Sequence, residues 1–141
     1  MSQTRVYLPL TAEAVRRLAS ERQLAPAPVD AYAVTPRLER SFAAGEREEE
    51  LEYAAIVEAF EAAGLANGLV PAKRVVAAAD VESDTVEPDS DRDGLGAVRV
   101  SAEVPLSRVV SFHVDEDAGD DGMDDVLWYD VTELDEVLRL L

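Results

Sequence analysis

The chain has no cysteine and only one histidine, one lysine and one tryptophan among its 141 residues. Without thiols there can be no disulfide, no zinc–thiolate centre and no cysteine nucleophile. Aromatic residues make up only 6%, so any core must be filled by aliphatic side chains and alanine. Positive charge is scarce as well. Thirteen basic residues stand against 30 acidic ones, a formal net charge of -17. A field of that sign repels phosphate backbones and anionic lipid, which argues against nucleic-acid and membrane partners. The opening MSQTRVYLPL has neither a basic n-region nor a long apolar h-region. No stretch approaches the roughly 18 apolar residues of a membrane helix. These absences lead us to expect a cytoplasmic protein.

What is present suits a packed core. Hydrophobic residues make up 48%, and the length is that of one domain, so a single domain over residues 1–141 is expected. All the basic residues except Lys73 are arginine. With the abundant alanine, this reads as a GC-rich coding bias; salt adaptation is a rival account of the acidity.

Val6, Leu8 and Leu10 alternate with Tyr7, a strand pattern. Thr11 is placed to cap a helix whose face carries Val15, Leu18, Ala19 and Arg22, ending near Gln23. A second strand is expected over 29–34. Thr35-Pro36 then starts a short helix, with Gly45 interrupting its stripe. From Glu46 a long helix is marked by Tyr53, Ile56, Val57, Phe60 and Ala63, with Gly64 as its expected stop. After Pro71 the period changes to two. Residues 75–81 are apolar on both faces, which marks a central strand.

An acidic connection is expected over 82–96, followed by a strand over 98–104. Another strand should then turn Val110, Phe112 and Val114 inward and Ser111 and His113 outward. Residues 115–125 read as a second acidic loop, and 126–129 as a short strand. Thr132 with Asp135 forms a capping-box pattern ahead of the stripe Leu134, Val137, Leu138 and Leu141. The element order is βαβααββββα. It predicts an α+β fold: a single mixed or antiparallel sheet of about five to six strands, with helices against one face.

Chemistry-bearing residues are few. Asp89, Asp91, Asp93 and Gly94 open like an EF-hand loop, whose alternate carboxylates turn onto one hard cation. Its second half is missing, because Val100 stands where a bidentate glutamate is needed. Calcium binding at Asp89, Asp91 and Asp93 is one reading, and a solvated acidic hairpin is the other. The carboxylates of 115–125 show no ligand spacing. His113 alone has an ordinary pKa near neutrality and could act as a base beside Asp115, the next residue on its side of the strand. No G-x-S-x-G elbow surrounds Ser107 or Ser111. A structural histidine on a strand is the plainer reading. Glu48, Glu49, Glu50 and Glu52 read as the wet face of the long helix. Tyr7, Trp128 and Tyr129 are candidates for an aromatic contact surface, although one of the last two should anchor the terminal helix.

RVYLPLT, AYAVTP, EEELEYAA, KRVVAAADV, SFHVDE and LWYDVTEL together resemble a family of short actinobacterial proteins of unknown function, DUF6912. The resemblance spans nearly the whole chain. It implies a cytoplasmic protein of a high-GC bacterium and supplies no activity or site residue.

No complete catalytic constellation emerges, and no cofactor site is read. The leading expectation is a non-enzymatic module that meets a protein partner. The alternatives are a divalent-cation-binding or metal-dependent enzyme built on the acidic loops and His113, and a calcium-stabilised structural domain.

Overall fold

The computed structural model describes residues 2–42 and 48–141. The elements run β1 (Gln3–Leu10), α1 (Ala12–Glu21), β2 (Gln23–Leu24), β3 (Val29–Tyr32), α2 (Pro36–Arg40), α3 (Glu48–Asn67), β4 (Val75–Glu82), β5 (Val86–Pro88), β6 (Ala97–Val100), β7 (Val104–Pro105), β8 (Val109–Asp115), β9 (Val126–Asp130) and α4 (Leu134–Leu140). Gly45 and Glu46, at which the sequence breaks and restarts a helix, lie outside the described residues.

Seven strands form one antiparallel sheet in the order β5-β6-β3-β1-β4-β8-β9, and β2 pairs with β7 in a separate two-stranded sheet. The α+β class stands, but the single sheet of five to six strands does not. Two short segments account for much of the difference. Val86–Pro88, inside the expected acidic connection, pairs along β6. The expected strand over 98–104 breaks at Ser101, so that its end pairs with β2 instead.

Helices cover both faces of the sheet, not one. Period-two alternation separates the two cores. Val6 and Leu8 of β1, Ala77 and Ala79 of β4, and Phe112 and Val114 of β8 pack with Val15 and Leu18 of α1 and with Leu134 and Val137 of α4. Tyr7, Tyr32, Val76 and Ala78 face the other way, against Leu38 of α2 and Ala55, Ile56, Ala59 and Phe60 of α3. Ala55, Ala59 and Ala63 recur every four residues and so share one side of the helix. Small residues there let α3 lie close to the equally small Ala78 and Ala97.

Local signals set several boundaries as expected. Thr11 Oγ1 accepts from the Ala14 N–H at 3.2 Å, and Thr35 Oγ1 accepts from Leu38 N–H at 3.1 Å, with Pro36 in the first turn. Strand β4 lies between β1 and β8, apolar on both faces. Helix α3, however, runs through Gly64. A Cβ there would meet Arg74 Cδ at 3.4 Å, an ordinary van der Waals contact, so nothing at this position interrupts the helix. The helix stops at Asn67, and Gly68 follows it at φ 69°, in the left-handed region that ends helices.

A register shift between Ala78 and Ala79 removes Val110 from the pairing. Val109 therefore takes the inward place expected for Val110. His113 does point away from Phe112 and Val114, but it is buried because that face of the sheet is covered as well. At the C-terminus the capping box is Asp130 with Glu133, two residues earlier than Thr132 with Asp135.

Gly96 shows how tightly the β5–β6 connection packs. A Cβ at this position would stand 2.6 Å from the Ala33 carbonyl oxygen, a backbone atom with little room to move. Gly96→Ala is expected to cost about 1–3 kcal/mol, measurable by urea unfolding. No loss would mean that the backbones can separate there freely.

Candidate functional site

Toward the N-terminal end of α3 the covered sheet face opens into a recess of about 240 Å³. Tyr7, Ala78, Ser111 and His113 line it from three adjacent strands, because each alternates with a residue of the opposite core. Trp128, opposite His113 in the β8–β9 register, closes one side; Glu49, Glu52 and Tyr53 of α3 close another. Three residues singled out in the sequence thus meet in one place. Their parts differ from expectation. Tyr7 is buried at the floor of the recess, while Trp128 is 69% exposed. Tyr129 points to the opposite core, where it packs as an anchor near α4.

The His113 side chain is 2% exposed. Its Nε2 lies 3.1 Å from Ser111 Oγ, and its ring meets Trp128 edge-on at 4.0 Å between centroids. Nδ1 is buried with no hydrogen-bond partner. Burial, helped by the charge of Arg5, pushes the imidazole pKa down to about 4, so the ring is neutral at pH 7. Burial and the neighbouring Glu52 carboxylate push the Tyr7 hydroxyl up to about 12. Nucleophilic serine chemistry needs a histidine oriented by a third group and basic enough to take the proton. Here Nδ1 has no such partner among the described residues, and burial lowers the basicity of the ring.

Arg5 lines the same recess, and Asp80 faces it across β1–β4. Arg5 Nε and Nη2 donate to the two oxygens of Asp80 at 2.6 and 3.0 Å. The bond holds the Asp80 carboxyl below its ordinary pKa and Arg5 above its own. Neither residue stood out in the sequence; only the strand register brings them together.

Asp115 is not a partner for His113. It belongs to β8, fully buried, and its carboxylate is bound to Arg74 through Nε at 2.8 Å, Nη2 at 2.9 Å and the Arg74 backbone N–H at 2.7 Å. The Arg74 Nη2 also donates to the Gly122 carbonyl, and its guanidinium lies 5.0 Å from the Phe60 ring centre. The first carboxylate of the expected acidic loop is therefore the anchor that holds that loop to the sheet.

Of the aspartates at 89, 91 and 93, only the first has a similar fate; Asp91 and Asp93 are exposed. Asp89 is buried and accepts from Arg92 Nε at 2.9 Å and from the Asp91 backbone N–H at 3.2 Å. The Arg92 hydrogen bond keeps the Asp89 carboxyl below its ordinary pKa. Arg92 reaches on to the carbonyls of Ala31 and Val98 at 3.1 and 2.5 Å. The half-matched calcium loop thus ties β5 and β6 to β3 through the Arg92 guanidinium. Among the described residues, no group of three or more His, Cys, Asp or Glu side chains is placed to hold a metal ion.

A second concavity, about 640 Å³, lies at the other end of α3. Leu65, Leu69 and Val70 line it together with Asp120 and Asp121. Leu65 and Val70 are 80% and 73% exposed, and Leu69 is fully exposed. Sequence reasoning passed over this surface because the helix was expected to end at Gly64.

An antiparallel sheet with helices on both faces, a polar–aromatic recess at one end of α3 and an apolar surface at the other define a small α+β domain. The chain belongs to the family of unknown function DUF6912, whose model matches residues 4–138. No curated protein and no solved structure matches it. Among the described residues, no helix is long and apolar enough to cross a membrane.

Proposed function

We propose that this protein is a non-enzymatic interaction module that docks a basic, apolar-anchored segment of a partner protein at the C-terminal end of α3. The observation that carries this reading is the joint exposure of Leu65, Leu69 and Val70 around one groove. Three large aliphatic side chains left in water at one place mark a contact surface more often than an accident of packing. Charge selects the occupant. Glu61, Asp120 and Asp121 border the groove, and the net charge of -17 repels a second copy of the chain. A partner with apolar anchors and flanking lysines or arginines matches both features.

The test is a titration with two synthetic amphipathic peptides of equal leucine spacing, one carrying lysine and the other glutamate. The lysine peptide is expected to bind and to shift the amide resonances of 65–71 and 119–121. Leu69→Ser is expected to weaken it about 10-fold or more, the worth of one buried leucine side chain. Shifts spread over the whole acidic surface, with affinity unchanged in Leu69→Ser, would overturn the reading. Sedimentation of the protein alone checks the alternative occupant, because a stable dimer lost in Leu69→Ser would assign the surface to self-association.

A further inference from the structure

The two edges of the seven-stranded sheet are unlike. At one edge β5 is only Val86–Pro88, with Glu87 exposed and a proline that has no N–H to offer. Short length, charge and proline are the usual guards against an added strand. At the other edge stands β9. Its residues Val126, Leu127, Trp128 and Tyr129 carry neither charge nor proline, and they pair with β8 without a break. Among the described residues, no strand pairs with the outer side of β9.

The ladder fixes which groups face outward. Glu116 N–H donates to the Asp125 carbonyl at 3.0 Å, so these two residues, next in register after Asp115 and Val126, form a hydrogen-bonded pair. Such pairs alternate along an antiparallel ladder. The backbone groups of Leu127 and Tyr129 therefore face β8, and those of Val126, Trp128 and Asp130 face away from it. The Asp130 N–H bears this out, because it leaves the sheet to meet Glu133 Oε1 at 3.0 Å. Val126 and Trp128 are left with N–H and C=O groups aimed outward, and the Trp128 side chain stands exposed beside them.

Shape and charge select what fits there. An added strand lays its side chains beside Val126 and Trp128 on one face and beside Leu127 and Tyr129 on the other, which favours β-branched or aromatic residues at its centre. Both ends of β9 are acidic: exposed Asp124 and Asp125 precede it, and exposed Asp130 and Glu133 follow. Glu49 and Glu52 share the recess beside Trp128. A segment with lysine or arginine at its two ends complements this pattern, whereas a second copy of β9 would crowd acid against acid.

We infer that β9 accepts an extended segment of a partner protein as a further strand of the sheet, β-branched at its centre and basic at both ends. Backbone hydrogen bonds to Val126 and Trp128 hold it, and its charged ends meet the acidic residues on either side. The edge is separate from the Leu69 groove, and neither surface depends on the other.

Trp128 is the only tryptophan, so fluorescence reports binding at β9 itself, and amide exchange reports its geometry. The experiment titrates the full chain with a lysine-ended heptapeptide of alternating threonine and valine. Two controls accompany it: a glutamate-ended counterpart, and a lysine-ended version with N-methyl groups on its three central residues, which blocks both of its edges. The first peptide is expected to saturate at millimolar concentrations or below. At about ten times its Kd it should slow exchange of the Val126 and Trp128 amides about 10-fold. Those of Leu127 and Tyr129, already turned to β8, should change less. Both controls should bind about 5-fold more weakly or worse, and Leu69→Ser should bind the first peptide unchanged. No saturable change in the millimolar range, equal binding of the N-methylated peptide, or protection at 65–71 in place of 126 and 128 would overturn the inference. Equal binding of the glutamate-ended peptide would overturn the basic partner. A dimer of the free chain protected at Val126 and Trp128 would also overturn that partner, giving the edge to a second copy.

Discussion

Asp115→Ala is expected to lower the unfolding free energy by about 3–5 kcal/mol, the usual cost of removing one partner of a buried ion pair. The carboxylate accepts three hydrogen bonds from Arg74 with no exposure to solvent. Alanine would leave a guanidinium buried against Phe60 with no counter-charge. The check is a double-mutant cycle in urea with Asp115→Ala, Arg74→Met and the pair together. The double variant should recover much of the loss, because a buried pair replaced by apolar groups costs far less than a lone buried charge. A second readout is local. Arg74 also holds the Gly122 carbonyl, and Gly119 N–H donates to the Ala72 carbonyl. Amide exchange around 119–122 should therefore speed up in Asp115→Ala more than exchange in β1. A loss below about 1 kcal/mol would mean that Arg74 finds water and that the pair is not desolvated.

The second large effect is a dependence of stability on mildly acidic pH that traces to one side chain. The unfolded chain protonates His113 near 6.5, whereas the folded protein does so only at about 4. Between those values the unfolded state takes up a proton that the folded state refuses, so stability falls as pH drops from about 6.5 to about 4. Above 6.5 the contribution is complete and constant. At roughly 1.4 kcal/mol per pH unit the full effect is about 3 kcal/mol. Asp80 and Asp89, held below their ordinary 3.8, lose their contributions only at still lower pH. Charge repulsion within the acidic surface relaxes on acidification and acts in the opposite direction. Comparison with His113→Gln removes that common background, and the variant should lack the slope between pH 6.5 and 4. Because the chain has one histidine, a single imidazole resonance followed by NMR gives the pKa directly. A value near 6.5 would sink the prediction.

Local signals were legible where a residue acts on its own backbone. Thr11 and Thr35-Pro36 start helices because a hydroxyl beside free N–H groups caps them whatever else is nearby. The apolar run of β4 required a central strand, since both of its faces had to be covered. Signals failed where a distant residue overrode a local one. Gly64 reads as a helix stop, but the helix runs on through it to Asn67. The alternation Val110, Phe112, Val114 reads as one inward face with a wet face opposite, but a register shift against β4 gives Val110's place to Val109, and the opposite face is covered too, which buries His113. Asp89, Asp91 and Asp93 have the spacing of a cation loop, and only the fold shows that Arg92 pairs with Asp89 and donates to two backbone carbonyls.

The candidate sites divide in the same way. His113 and Trp128 were conspicuous as the single residues of their kind and Tyr7 as an aromatic candidate, but nothing in their spacing says that three strands and one helix bring them to a common recess. Glu52 looks like one more solvent-facing charge until α3 is laid across the sheet. Composition determined the acidity and the absence of thiol chemistry, and the order of hydrophobic periods determined the α+β class, because charge, residue type and hydrophobic period are properties of the chain itself. The sheet order, the buried Arg74–Asp115 pair and the meeting of residues from β1, β4, β8, β9 and α3 were decided by tertiary structure. They depend on contacts between residues far apart in sequence, which packing and strand register select and local pattern does not encode.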